Sequence, residues 1–218
     1  MKKSPLCLAA FAALLAVSAT LRAQAPDLPV IKLNDPDRLR GLPLMEALSA
    51  RASATVWSDQ AVSLQDLSDL LWAADGINRN DLNKRTAPSA LNAQDVDIYV
   101  FTGEGVYRYN AVRHALLPVL TGDFRAKIGQ PPPPAAPIQL LLVSDRARFS
   151  SGTPEQRSEW GAIDTGTVSQ NISLFCAATG LATRPRGSID KDGLRKLLGL
   201  RDSQYPLLNH PVGHPQDS

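Results

Sequence analysis

The chain has 218 residues, 44% of them hydrophobic, 20% charged, and a formal net charge of +2. It contains no basic run of the kind that grips nucleic acid or an acidic membrane surface, so neither is expected as a partner. Two cysteines, Cys7 and Cys176, leave at most one disulfide to hold the fold together.

The first predicted element is a leader. Lys2 and Lys3 precede an apolar run from Leu6 to Val17, and the small-residue site Ala23-Gln24-Ala25 follows, the pattern of a secretory signal peptide over residues 1–25. Pro26 directly after Ala25 leaves cleavage after Ala23 as an alternative. The run is too short for an ordinary membrane span, which favours a periplasmic or secreted product over an uncleaved anchor. Loss of the leader removes Lys2, Lys3 and Arg22 but no acid, so the formal charge becomes −1. Residues 26–218 then make about one domain's worth of chain. Cys7 leaves as well, and Cys176, among Ile172, Leu174 and Phe175, reads as a small buried hydrophobe rather than a reactive thiol.

A first helix is predicted over about Pro43 to Arg51, from Leu44, Ala47, Leu48 and Arg51 at helical spacing. In the second, Ser63 and Asp66 form a capping-box pattern, Leu64, Leu67, Leu70, Leu71 and Ala74 share a face, and Gly76 marks the stop. The stretch RTAPSALNAQ, Arg85 to Gln94, suits neither helix nor strand and reads as a loop carrying two carboxamides, each with a donor and an acceptor. DIYVFTGEGVYRYN reads as a hairpin around Gly103-Glu104-Gly105. These glycines are no dinucleotide fingerprint, because Arg108 stands at the third glycine position and a strand follows.

A helix or turn is expected from Leu117 to Ile128, then a Pro-rich linker over residues 130–137 and a buried strand, IQLLLVS. A long helix should run from Pro154 to Thr179 with Val168, Ile172, Phe175 and Cys176 toward the core and Gly180 at its end. A last helix, about Asp190 to Leu198, and a strand from Leu207 to Val212 close the chain. Helices and strands mix without alternating as βαβ units, which favours an α+β layered domain over a doubly wound one.

Competing chemistries lack their residues. His114, His210 and His214 are scattered, with no Cys or acid beside them at metal spacing, so no metal site is nominated. There is no G-x-S-x-G nucleophile elbow. Asp164, near the start of the long helix, reads as a cap or a helix-dipole partner rather than an acid catalyst.

Taken in order, RASATVW, LSDLLWAADGINR, RTAPSALNAQDVDIYV, SQNISLFCAATGL, ATRPRGSID and PVGHP resemble the nitroreductase-like FMN proteins, close to their shorter branch related to azoline dehydrogenases. The resemblance implies a central, mostly antiparallel sheet flanked by helices, a homodimer, and FMN in a cleft lined by both subunits. In the family's R-x-S-x-(R/K)-x-(F/Y) element, matched by Arg51, Ser53 and Trp57, the Arg and Ser hold the FMN phosphate. A forked guanidinium and a hydroxyl suit phosphate oxygens; on local sequence alone, a solvated helix end explains the same Arg.

Thr55 stands where relatives place Arg or Lys near the flavin pyrimidine, and loss of that cation should make flavin reduction less favourable unless another group, such as Arg85, replaces it. The family's P-S-x-x-N-x-Q segment is matched by Pro88, Ser89, Asn92 and Gln94. Asn92 is expected on the pyrimidine edge, Pro88 and Ser89 against a ring face, and Gln94 on the ribityl side or closing its own loop; a polar loop closed by its own hydrogen bonds is the alternative. Arg186 and Gly187 match the residues whose backbone amides face flavin N5 and O4. Relatives with longer tails add basic residues after the segment matched by PVGHP, so a weaker phosphate grip is expected here.

The resemblance thus implies an exported FMN-dependent oxidoreductase working by ping-pong. A reductant passes two electrons to N5 and leaves, and an electron-poor small molecule such as a nitro compound or quinone takes them. No side chain is nominated as a catalytic acid or base. The alternative is a noncatalytic binding module of the same fold. The enzymatic reading requires Arg51, Ser53 and Asn92 to converge with Arg186-Gly187 around one flavin.

Overall fold

The computed structural model describes residues 27–128 and 136–216. The predicted leader and most of the Pro-rich linker lie outside the described residues. In chain order the elements are β1 (Ile31–Lys32), α1 (Leu44–Ala50), α2 (Leu64–Asp75), β2 (Ile77–Arg79), β3 (Lys84–Arg85), β4 (Val96–Phe101), β5 (Gly105–Asn110), β6 (Ala115–Thr121), α3 (Arg125–Ile128), β7 (Ile138–Asp145), α4 (Pro154–Thr179), β8 (Ala182–Thr183), α5 (Lys191–Leu198) and β9 (Gln204–Gly213).

Seven strands form one antiparallel sheet in the order β1-β6-β5-β4-β7-β9-β8, and β2 pairs with β3 as a separate small ribbon. β7 is buried along its whole length, because the sheet is covered on both faces. Ile138, Leu140 and Leu142 point toward α2 and α4, packing with Leu70, Leu71, Ile172 and Cys176. Leu141 and Val143 point the other way, to Ile128 of α3 and Leu194 of α5. Period-two alternation therefore feeds two cores from one strand. The α+β layered architecture with a mostly antiparallel sheet is as expected.

The helix ends follow their signals. Ser63 Oγ accepts from the Asp66 amide at the start of α2. At α4, Thr153 and Gln156 form a reciprocal capping box, Pro154 opens the first turn, and Gly180 ends the helix at φ 76°. Cys176 is buried, and its burial pushes the thiol pKa up, away from thiolate chemistry.

Two expectations change. The Leu117–Ile128 helix or turn is instead strand β6 followed by the four-residue α3; Pro118 sits in that strand opposite Tyr107, at a bulge between Val106 and Tyr107 that accommodates a residue without an amide donor. Asp164 is no cap, since α4 begins ten residues earlier at Pro154. α1 also turns its apolar face outward: only Ala47 is buried, while Leu44, Met45 and Leu48 are 63%, 75% and 45% exposed.

Candidate functional site

One set of predicted residues lies along the edge of the sheet. Arg51 ends α1, and the chain from Ala52 to Ser58 then runs extended beside β8 and the chain end. Ala54 N–H donates to the Thr183 carbonyl at 3.0 Å, Trp57 Nε1 donates to Ala182 O at 2.9 Å, and Ser58 N–H donates to His214 O at 3.0 Å. These bonds pin Ser53 and Thr55, both exposed, beside the strand that leads to Arg186. Arg186 exchanges both backbone bonds with Asn209 at 2.9 Å. Gly187 is exposed, and a side chain there would make only ordinary contact, with Leu208 Cδ2 at 3.7 Å.

This edge collects positive charge. Arg184 and Arg186 lie close together, and among the described residues neither they nor Arg51 has a carboxylate within ion-pair distance, a condition shared with several other arginines such as Arg108 and Arg113. Partial burial and then repulsion from Arg184 pull the Arg186 pKa below the ordinary guanidinium value. Two guanidinia crowded together without an anion suit an incoming phosphate. Nothing in T-R-P-R shows locally which arginines lack partners, so Arg184 carries no signal in the sequence.

The other set lies on the loop from Arg85 to Gln94. Arg85 Nη1 donates to Asp75 Oδ2 at 2.7 Å and to Asp75 O at 2.9 Å, and its Nε donates to Gln94 Oε1 at 3.1 Å. The Arg85 guanidinium is thereby engaged within its own loop, which argues against its serving as the missing flavin cation. Gln94 Nε2 donates to Asn83 O at 2.7 Å, and Ser89 Oγ accepts from the Gln94 amide at 2.9 Å. Gln94 and Ser89 thus close the loop. Asn92 is exposed with no side-chain hydrogen bond among the described residues, leaving a complete amide edge available. Leu91, Asn92 and Gln94 all have positive φ, 54°, 54° and 48°. Such backbone is costly for residues with a Cβ, most of all for Leu, and persists only when its surroundings enforce it.

Those surroundings are acidic. Thr167 Oγ1 of α4 donates to Pro88 O at 3.2 Å, and the Ala90 amide donates to both Asp164 oxygens, at 3.0 and 2.9 Å. Asp164 faces Asp95, which accepts from Ser144 Oγ through Oδ2 and leaves Oδ1 buried without a partner. Burial, opposed by the Ser144 bond and reinforced by Asp164, pushes the Asp95 carboxyl up to about 7. Burial likewise raises Asp75 to about 7 against the pull of Arg85. A cavity of about 10 Å³ separates these groups from Ser89 and Gln94.

The two sets do not meet within one chain. Val96 of β4 pairs with Ser144 of β7, whereas Thr183 of β8 pairs with Val212 of β9, which pairs with Ile138 at the far end of β7. Three strand spacings across and six residues along place the two ends roughly 20–25 Å apart.

Elsewhere, His210 is buried as a neutral bridge between Ser169 Oγ at 2.8 Å and Thr183 Oγ1 at 3.1 Å, and burial pushes its pKa down to about 3. This places it in the packing of α4 on the sheet.

Comparison with known proteins matches the nitroreductase family model to residues 48–214. The crystal structure of a candidate nitroreductase from Ralstonia eutropha JMP134 is 35% identical, covering 87% of this chain and 90% of that one, with a TM-score of 0.82. The E. coli microcin synthetase McbBCD complex with truncated pro-MccB17 includes a chain 16% identical, covering 97% of this chain and 85% of that one, TM-score 0.68. B. megaterium NfrA2 is 20% identical over 80% of this chain and 67% of its own, TM-score 0.57. The latter two likenesses show the fold alone. No curated protein matches.

Proposed function

Because the chain belongs to the nitroreductase family, a flavin-dependent oxidoreductase family in general, we propose that it is an FMN-dependent oxidoreductase acting on electron-poor small molecules such as nitro compounds or quinones. The observation that carries the reading is the adjacent pair Arg184 and Arg186, without carboxylate partners beside exposed Gly187, with the Arg51–Ser53 segment tied to the same strand through Ala54 and Thr183. A phosphate takes charge-assisted bonds from these guanidinia and from Ser53, and the Asn92 carboxamide is free to pair with the alternating donors and acceptors of a flavin pyrimidine.

The bound flavin supplies two-electron exchange at N5. The chain's own part is to bind the phosphate and to present the Gly187 amide, because the Arg186 N–H expected at flavin N5 already donates to Asn209 O. No side chain acts as a proton donor in this reading.

The separation of the two residue sets, and the outward apolar face of α1, fit a homodimer in which each cleft takes its cations from one copy and Asn92 from the other. Exposed Leu91 and Ile163 beside the Asn92 loop add apolar surface for the same contact. The signal-peptide pattern supports export to the periplasm or beyond. No helix among the described residues is long and apolar enough to cross a membrane.

The test is direct. Purified protein is denatured and released flavin identified; flavin-free protein is titrated with FMN; the loaded protein is assayed for NAD(P)H oxidation with a quinone or nitroaromatic acceptor. Bound FMN with acceptor turnover is expected. Thr55, at the position where relatives carry a cation, favours the second reading, a noncatalytic module, and a colourless protein that takes up no FMN would establish it.

A further inference from the structure

We propose that Asp164 is the positioning residue of the Pro88–Gln94 loop, and that it holds the loop through a single proton shared with Asp95. Its consequence for flavin binding rests on the functional reading above; the positioning itself does not.

The geometry needs that proton. Asp164 is 4% exposed and Asp95 0% exposed, and the two carboxyl groups face one another. Two ionised carboxylates in such contact repel. Asp95 Oδ1 is a buried oxygen with no donor among the described residues. A proton on Oδ1 gives it a bond to make, toward Asp164, while Oδ2 keeps its bond from Ser144. Both Asp164 oxygens accept from the Ala90 amide. Helix α4 can come this close to β7 because residue 161 is glycine; a Cβ there would collide with Ser144 Oγ and stand 3.5 Å from Asp95 Oδ2.

What Asp164 holds is a strained segment. Ala90 is followed by Leu91, Asn92 and Gln94 in left-handed backbone, and the Asn92 side chain projects from this turn. The charged groups around the pair cannot supply the missing donor. From α2 it faces Asp75, which Arg85 of β3 holds; Arg148, near Asp95, is held by Asp97 of β4, donates to Gln94 O and lies near Asp145. Arg85 and Arg148 already have carboxylate partners, so a proton shared between the two carboxyl groups is what offsets their repulsion. The raised Asp95 pKa, about 7, agrees with a native state that retains it.

Amide hydrogen exchange at Ala90 and Gln94 in the flavin-free protein, expressed as protection factors between pH 5.5 and 8.5, reads the positioning without any cofactor. In the unaltered chain, protection should fall at least tenfold across that range as the proton leaves. Asp95→Asn, whose carboxamide donates permanently toward Asp164, and Asp164→Asn, which fills the same space, should both fold and lose the pH response. Asp164→Ala should lose protection at every pH. A pH-independent protection factor in the unaltered chain, or a response that survives in both Asn variants, overturns the proposal.

FMN titration of the same proteins separates the two readings. Affinity falling at least tenfold in Asp164→Ala together with loop protection supports the link to the flavin. Loop protection that behaves as expected in a chain that binds no FMN upholds the positioning and removes the flavin reading. Tight FMN binding with unchanged Ala90 protection in Asp164→Ala does the reverse.

Discussion

A guanidinium without a carboxylate keeps its full attraction for an incoming anion, and Arg51, Arg184 and Arg186 are in that condition among the described residues. Each charge-assisted bond to phosphate is worth ~1.5–3 kcal/mol, or on the order of ten- to a hundredfold in affinity. Arg51→Ala and Arg184→Ala should each weaken FMN binding by about that factor while leaving riboflavin, which lacks the phosphate, unaffected; fluorescence titration with both ligands checks it. Asn92→Ala should instead weaken both ligands alike, by about tenfold, because the ring system is common to them. Arg51 was legible through a short motif. Arg184 was not, because partnerlessness is a property of three dimensions: the sequence contains many arginines, and only the fold shows which ones carboxylates neutralise.

Helix α4 shows what local sequence can and cannot reveal. Its start, stop and inward residues follow from Thr153, Pro154, Gly180 and the spacing of Val168, Ile172 and Cys176. Its meeting with Asp95 through Asp164 joins residues 69 positions apart and has no local signal. β6 was misread for a related reason. Pro118 inside an apolar run argues against a strand, and only the bulge beside it in β6, where Val119 is the extra residue, removes the objection. The contact made possible by Gly161 yields a prediction at this scale. Alanine favours a helix over glycine by up to about 1 kcal/mol, yet Gly161→Ala would drive a methyl group into Ser144 and cost about 1–3 kcal/mol by overpacking. A lowered melting temperature, with helix content preserved by circular dichroism, is the expected outcome.

The molecule as a whole titrates in two opposed ways. Asp75 and Asp95, raised to about 7, bind protons in the folded chain that the unfolded chain releases near the ordinary carboxylate range. The stability they contribute is greatest in acid and falls as pH rises toward 7. His210, held neutral and lowered to about 3, acts oppositely, costing stability as pH falls below about 6.5. Melting temperatures across pH 4–8 should show the first trend weakened in Asp95→Asn. Association provides the other whole-molecule test: Met45→Asp, on the outward face of α1, should leave a folded monomer by light scattering that binds FMN at least tenfold more weakly than the parent. The clasp of Trp57 on Ala182 has an optical corollary. This indole is anchored within six residues of Arg51, whereas Trp72 and Trp160 lie on helices α2 and α4. Its ultraviolet emission overlaps the absorption of a yellow chromophore seated alongside, so energy transfer should dim the intrinsic glow as the cleft fills, allowing occupancy to be followed without any label.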